Sequence, residues 1–117
     1  MEIKKLSSNR GNILEGLYMI KPKVYRDKRG FFYESWNQSS FNDALGEKII
    51  FMQDNHSSSN SGVLRGLHYQ IEPKTQGKLV RCVSGSVFDV AVDIRKSSPT
   101  FSEWASIILD GSNKSMI

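Results

Sequence analysis

The chain has 117 residues, a formal net charge of +4 and one cysteine. This length suits one hydrophobic core and excludes two domains of ordinary size, and no apolar run approaches the roughly 20 residues that a membrane-spanning helix needs. The amino terminus has no apolar signal-peptide core, and Cys82 cannot form an intrachain disulfide. We therefore expect a single domain over residues 1–117, located in the cytoplasm and without a membrane partner.

Strand patterns recur along the chain, separated by turn-rich pieces. Runs of β-branched and aromatic residues predict strands at Ile13–Ile20, Gly30–Trp36, Lys48–Gln53, Gly62–Gln70, Lys78–Val83, Ser86–Ile94 and Trp104–Leu109. Only Gln38–Leu45 has a helical pattern, with Asn37 as a candidate N-cap and Gly46 as a stop. Short strands at this spacing predict an all-β sandwich or barrel with one short helix.

The densest basic segment lies between residues 21 and 33, where cations alternate with aromatic rings. Its members are Lys21, Lys23, Tyr25, Arg26, Lys28, Arg29, Phe31, Phe32 and Tyr33. Such a segment can bind phosphates and stack a base, and the alternative is a solvated hairpin loop followed by a strand. Because the basic residues are otherwise scattered, we do not expect nucleic acid as a partner.

Residues 62–81 hold the most informative cluster of side chains. Arg65 can hold a phosphate or carboxylate, His68 can move a proton near neutral pH, and Lys78 can stabilise a developing oxyanion. This set suits removal of a proton beside a carbonyl group. A regular strand would send Arg65 and His68 to opposite faces. Gly66 between them is a natural place for a bulge or bend that brings them together, or for a close backbone approach.

The segment Ser86–Arg95 shows the clearest alternation. One predicted face, assigned to the core, holds Phe88, Val90, Val92 and Ile94, and the other holds Val87, Asp89, Ala91 and Asp93. Asp89 can look into a partly polar interior, where a carboxylate orients a histidine or meets a substrate, or it can pair with a nearby arginine. Both readings stay open.

Several long motifs follow one another along the chain: Arg26–Asn37, Gln53–Ser57, Gly62–Gln70, Gln76–Arg81 and Val87–Arg95. In this order they resemble one family, the dTDP-4-dehydrorhamnose 3,5-epimerases. The resemblance implies a cupin-like jelly-roll β-barrel, assembled as a homodimer in which an N-terminal strand crosses to the partner. It implies no cofactor and no metal. The residues agree, since two histidines and one cysteine in a strand make a poor ligand set.

The resemblance also implies roles for single residues. His68 is the catalytic base, Lys78 steadies the enolate oxygen, and Arg65 lies near the phosphates of the nucleotide. The positions that match thymidine-nucleotide contacts in the family are Arg29, Glu34, Gln53, Asp54 and Asn55. The implied substrate is a dTDP-4-keto-6-deoxy sugar, which loses protons at C3 and C5, next to the C4 ketone.

Family members continue beyond Ile117, so the resemblance implies a jelly roll that is incomplete at its carboxy terminus. The further portion would hold a proton-donating tyrosine, a substrate-contacting histidine and the carboxylate that pairs with the catalytic histidine. The substitutes within this chain would be Tyr25, Tyr33 or Tyr69 for the tyrosine and Asp89 or Asp93 for the carboxylate. Three functions stay open: an epimerase of dTDP-rhamnose biosynthesis, a catalytically inactive cupin that binds a nucleotide sugar or assists assembly, and a related enzyme that acts at only one carbon or isomerises the keto group.

Overall fold

The computed structural model describes residues 1–117. Its elements, in chain order, are β1 (Glu2–Ser7), β2 (Ile13–Lys21), β3 (Val24–Asp27), β4 (Gly30–Tyr33), α1 (Gln38–Leu45), β5 (Ser86–Val92) and β6 (Trp104–Asp110). The strands form three antiparallel two-stranded sheets, β1 with β2, β3 with β4, and β5 with β6. This arrangement confirms the predicted all-β class with one short helix.

Four predicted elements, β2, α1, β5 and β6, lie where the sequence placed them, with ends that differ by at most two residues. The strand predicted at Gly30–Trp36 is shorter and ends at Tyr33. Two strands were not predicted, β1 and β3. In β1 only Ile3 and Leu6 are partly buried, so the alternation of apolar and polar residues is weak. The strand is defined by its pairing with β2, in which Ile3 lies opposite Ile20.

Three predicted strands are wrong: Lys48–Gln53, Gly62–Gln70 and Lys78–Val83 have no strand structure apart from an isolated bridge between Arg81 and Met116. A strand needs a neighbour to satisfy its backbone groups. The first two segments have none, and the third pairs only with the last two residues of the chain, through Val80–Ile117 hydrogen bonds and the Arg81–Met116 bridge. Met52 and Leu64 of the first two segments are 89% and 90% exposed, whereas Leu79 of the third packs against the core. The pattern therefore identified residues suited to a sheet, but this chain supplies no adjoining strand for them.

The core face predicted for β5 is wrong at two of its four residues, since Val90 and Val92 are half-buried but Phe88 and Ile94 are exposed. Phe88 and Ile94 are 67% and 50% exposed, and Ile108, opposite Phe88 on β6, is 57% exposed. The other face is covered around the buried Ala105 and Leu109, although Val87, opposite Leu109, is 45% exposed. No strand or helix packs broadly over the Phe88 face, and alternation alone cannot tell which of two apolar faces will be covered.

The small core lies where α1 meets β2 and the last residues of the chain. Ile20, Phe41 and Met116 are its buried members, and burying a side chain such as Phe41 stabilises the fold by about 2 kcal/mol. Residues packed around them are Ile3, Tyr18, Trp36, Leu45 and Leu79. Backbone hydrogen bonds of 2.8 and 2.9 Å between Ile20 and Met116 fix the carboxy-terminal residues against β2.

Helix α1 begins and ends as its sequence predicts. The side chain of Asn37 accepts a hydrogen bond of 3.1 Å from the Ser40 N–H, which satisfies one of the free donors at the helix start. Gly46 takes a left-handed conformation with φ 71°, and its N–H donates to the Asn42 carbonyl. No helix of the chain is long and apolar enough to cross a membrane.

A buried carboxylate, Asp93, organises the connection between β5 and β6. Its oxygens accept hydrogen bonds from the Arg95 guanidinium at 2.8 Å, from the Ser98 hydroxyl at 2.5 Å and from the Thr100 hydroxyl at 2.7 Å. The Arg95 hydrogen bond, aided by those from Ser98 and Thr100, holds the pKa of Asp93 well below its usual range despite burial. The Asp93 carboxylate is therefore fully engaged by hydrogen bonds within its own loop, and its proposed use as a catalytic carboxylate is not supported.

A second buried carboxylate, Glu103, joins the amino-terminal hairpin to the start of β6. It accepts a hydrogen bond of 2.5 Å from the Ser8 hydroxyl and two, of 2.9 and 3.1 Å, from the Asn12 amide. The Asn9 N–H donates to the Trp104 carbonyl at 2.8 Å beside them. These contacts connect residues more than 90 positions apart, which sequence patterns did not reveal.

Candidate functional site

The hairpin of β3 and β4 forms an open cleft of about 410 Å³. Its lining residues are Tyr25, Arg26, Asp27, Arg29, Gly30, Phe31 and Phe32. The turn is shaped by Asp27, whose carboxylate accepts hydrogen bonds from the Arg29 N–H at 2.8 Å and from the Arg29 guanidinium at 2.5 and 3.0 Å. These bonds lower the pKa of Asp27 and hold Arg29 at the rim of the cleft.

Cations lie over the aromatic rings of this hairpin. The Arg26 guanidinium lies 5.7 Å from the centre of the Phe31 ring, and the Lys114 ammonium lies 4.1 Å from it. Lys23 has the same relation to Tyr25 at 5.1 Å. Such contacts combine a positive surface with exposed ring faces, which suits a phosphate and a planar base. Sequence reasoning missed Lys114, since nothing in its local pattern relates it to a hairpin over 80 residues away.

Glu34 and the run Gln53–Asn55 lie on the exposed surface near the start of α1. Glu34 follows β4, and its carboxylate accepts a hydrogen bond of 3.1 Å from the side chain of the N-cap residue Asn37. Gln53, Asp54 and Asn55 have no regular structure and come shortly after Phe51, whose ring packs 4.8 Å from that of Trp36. The polar groups of this run are free to contact a ligand.

Arg65 and His68 lie on an exposed segment without regular structure. Arg65 donates to the Ser59 hydroxyl at 2.8 Å and to the Ser58 carbonyl at 3.1 Å, so its side chain is tied to its own loop. Gly66 has φ 123°, a backbone conformation that favours glycine, and it lies in no strand, so the predicted strand bulge is absent. A side chain at Gly66 would meet Nδ1 of His68 at 3.5 Å, so the imidazole lies close to this backbone.

Lys78 is exposed and acts electrostatically on Asp89 of β5. Burial raises the pKa of Asp89, and the positive charge of Lys78 offsets part of that rise. Asp89 makes no ion pair with an arginine, so the alternative of a structural Asp–Arg pair at this position is wrong.

The structure places all eight candidate residues on the surface, where a ligand can reach them. It joins no two of them by a hydrogen bond or ion pair, and their partners are residues outside the set, as at Arg29, Glu34 and Arg65. The predicted meeting of His68, Lys78 and Arg65 around one substrate therefore stays a prediction.

Comparison with known proteins gives a consistent result. The family model for dTDP-4-dehydrorhamnose 3,5-epimerase matches residues 12–117. The dTDP-4-dehydrorhamnose 3,5-epimerase of Shigella flexneri is 65% identical over 96 residues, which are 82% of this chain and 53% of that protein. The chain thus spans about half the length of the curated relatives that it matches.

Solved structures show the same likeness. A dTDP-6-deoxy-D-glucose-3,5-epimerase from Legionella pneumophila, in complex with dTDP-4-keto-L-rhamnose, has a TM-score of 0.86 and 49% identity, covering 98% of this chain and 58% of that one. The rmlC epimerase of Mycobacterium tuberculosis has a TM-score of 0.89 and 41% identity, covering 99% of this chain and 55% of that one. The cupin-like jelly-roll class implied by the sequence motifs is confirmed.

Proposed function

Because the chain belongs to the dTDP-4-dehydrorhamnose 3,5-epimerase family, we propose that it acts on a dTDP-4-keto-6-deoxy sugar in dTDP-rhamnose biosynthesis. The reaction is proton removal at C3 and C5 followed by return of a proton on the opposite face. The observation that carries this proposal is the high identity to an epimerase of that name over most of the chain. The Legionella relative, in complex with dTDP-4-keto-L-rhamnose, supports a sugar nucleotide as ligand.

His68 and Lys78 would carry out the chemistry. The C4 ketone acidifies the neighbouring C–H bonds, and the imidazole of His68 would accept the proton. The negative charge that forms on the ketone oxygen would be stabilised by the ammonium of Lys78, which gains most as the enolate develops. Both side chains are exposed, so a sugar can approach them from solvent.

The nucleotide would be held by the other candidate residues. Arg65 offers a charged fork to the phosphates. The hairpin cleft brings the Arg29 guanidinium beside aromatic faces, a combination that suits a pyrimidine nucleotide. The remaining members of the proposed binding set are Glu34, Gln53, Asp54 and Asn55, whose carboxylate and amide groups can read polar edges of a base or sugar.

We also infer that residues 1–117 act as one cupin-like unit in the cytoplasm and form a homodimer through exchange of the amino-terminal strand. Strand β1 pairs with β2 along one side only, which leaves its other edge available for pairing with a second copy. Light scattering over a range of protein concentrations would test the dimer. Hydrogen exchange of β1 amides should slow as the dimer fraction rises, and exchange independent of concentration would refute the strand exchange.

The reaction can be tested by NMR of dTDP-4-keto-6-deoxyglucose in D₂O with the purified chain. Deuterium entry at C3 and C5 with inversion of the ring carbons is expected. Exchange at one carbon alone would instead identify an enzyme with narrower action. Nucleotide binding without any exchange would refute the proposed activity and leave an inactive nucleotide-sugar-binding protein.

Two matched variants sharpen this test. His68→Asn removes the proposed base and should slow exchange by at least about 100-fold while dTDP affinity stays the same. His56→Asn is the control, because His56 is the only other histidine, is also exposed, and has no role in the proposed site. Equal exchange rates in the two variants would show that His68 is not the base.

A further inference from the structure

Two cations share one aromatic ring in the hairpin of β3 and β4. The Lys114 ammonium lies 4.1 Å and the Arg26 guanidinium 5.7 Å from the centre of the Phe31 ring. Neither side chain forms an ion pair within the chain. Two like charges beside one ring repel each other, and a ring attracts an exposed cation only weakly. An anion placed between the two cations would therefore stabilise this arrangement.

Arg29, which also lines the hairpin cleft, is already neutralised. Its guanidinium donates two hydrogen bonds, of 2.5 and 3.0 Å, to the Asp27 carboxylate. Its charge is thus balanced within the hairpin. Uncompensated positive charge lies beside the cleft on Arg26, which lines it, and on Lys114, which contacts the lining ring of Phe31.

The position of Lys114 is set by the turn that follows β6. The Asp110 carboxylate accepts hydrogen bonds of 2.8 Å from the Ser112 and Asn113 N–H groups, which close the turn. Lys114 then takes a left-handed conformation with φ 57°, which is uncommon for this residue type. Its ammonium donates one hydrogen bond, to the Gly111 carbonyl. Because an ammonium has three donors, two remain for a ligand.

We propose that Arg26 and Lys114 bind a phosphate group of the sugar nucleotide in the hairpin cleft. A guanidinium offers a planar fork of donors and an ammonium a compact charge, and proteins use both for phosphate. The Phe32 ring, 71% exposed, lines the same cleft and suits the base. This inference rests on the proposed function, in which a dTDP sugar is the ligand. It adds two residues to the proposed binding set, one of them from the turn after β6.

Calorimetric titration with dTDP and with thymidine tests the phosphate contact. Lys114→Met removes the charge and retains an apolar stem, so dTDP affinity should fall by about 10-fold, whereas thymidine, which has no phosphate, should bind as before. Arg26→Met should have a similar effect, and Lys114→Arg should retain most of the affinity. Lys96→Met is the control, because it removes an equal charge from an exposed position outside the proposed site.

Unchanged dTDP affinity in Lys114→Met, an equal loss in Lys96→Met or an equal loss for thymidine would overturn the inference. A lower free energy of unfolding in Lys114→Met, with dTDP affinity unchanged, would reduce the contact with Phe31 to a structural link. Because the phosphate is bound alike in substrate and transition state, KM for the sugar nucleotide should rise by the same factor with kcat unchanged.

The proposed function and the phosphate site can fail separately. If the unmodified chain binds dTDP and loses affinity in the two variants, but does not exchange deuterium, the proposed reaction is refuted and the phosphate site stands. If the unmodified chain exchanges deuterium and the two variants bind dTDP equally well, the phosphate site alone is refuted.

Discussion

Polar side chains have opposite environments in two regions of the molecule, the loop between β5 and β6 and the segment from residue 50 to residue 81. In the loop, Asp93 is buried, and each of its oxygens accepts hydrogen bonds from residues two to seven positions away. In the segment, His68 and Lys78 are exposed and form no hydrogen bond or ion pair within the chain. Asp93, which stabilises the fold, is satisfied internally, whereas His68 and Lys78, which are proposed for the chemistry, are left open to a ligand.

The difference separates the residues that stabilise this chain from those proposed to react. A buried carboxylate with several donors is costly to disturb, because each donor loses its partner. An exposed imidazole can be changed at little cost to folding, since water replaces whatever it contacted. The two regions should therefore respond differently to substitution, and four predictions follow this contrast from the largest expected effect to the smallest.

Asp93→Ala should give the largest loss of stability. The change leaves the Ser98 and Thr100 hydroxyls and the Arg95 guanidinium without their acceptor, so we expect the free energy of unfolding to fall by about 3 kcal/mol. Urea unfolding followed by tryptophan fluorescence would measure it. Asp43→Ala on α1 is the control, because Asp43 is exposed and makes no ion pair. Equal losses in the two variants would contradict a structural role for the Asp93 network.

The pH dependence should separate Asp93 from Asp89. The pKa of Asp93 is lowered by folding from its ordinary value of 3.8, so its stabilising effect is present above that value and is lost as the pH falls below it. The pKa of Asp89 is raised, mainly by burial, so its ionisation destabilises the fold as the pH rises through the raised value.

Unfolding curves from about pH 3 to pH 7 would test both signs. The stability difference between the unmodified chain and Asp93→Asn should shrink at low pH. Relative to the unmodified chain, Asp89→Asn should gain stability as the pH rises. Parallel curves for the two variants would show that the opposite shifts are absent.

Local sequence patterns predicted the elements whose structure is set mainly by residues close together in the chain. Helix α1 was predicted with both ends, because Asn37 and Gly46 act within one turn of the backbone. Strands β5 and β6 were foreseen from alternation, and their antiparallel pairing follows from a connection that Asp93 closes locally. The family motifs predicted the fold class, which the solved relatives confirm, and the residues of the candidate site, whose roles stay predictions.

The predictions that failed concern segments whose structure or burial depends on distant parts of the chain. The strand predicted over Gly62–Gln70 has the right residues but no adjoining sheet, so its backbone stays irregular. The Phe88 face of β5 was assigned to a core because it is apolar, yet coverage depends on what packs there. Lys114 and Glu103 were missed for the same reason, since their contacts join distant positions.

A smaller effect is expected where stabilisation is local. Asn37→Ala removes the acceptor for the Ser40 N–H and should lower the free energy of unfolding by about 1 kcal/mol. Asn37→Ser retains a capping oxygen and should recover most of the loss. Helical content measured by circular dichroism, together with urea unfolding, would report the change, and identical stabilities of the two variants would show that the cap does not contribute.

The smallest effect on stability is expected at His68, although its effect on the proposed reaction is the largest. His68→Asn removes an exposed ring without a hydrogen bond, so the free energy of unfolding should change by less than about 0.5 kcal/mol. Urea unfolding of this variant beside Asp93→Ala would place the two regions on one scale. A loss at His68 comparable to that at Asp93 would mean that the imidazole supports the fold, and a fall in deuterium exchange could then no longer be assigned to a missing base.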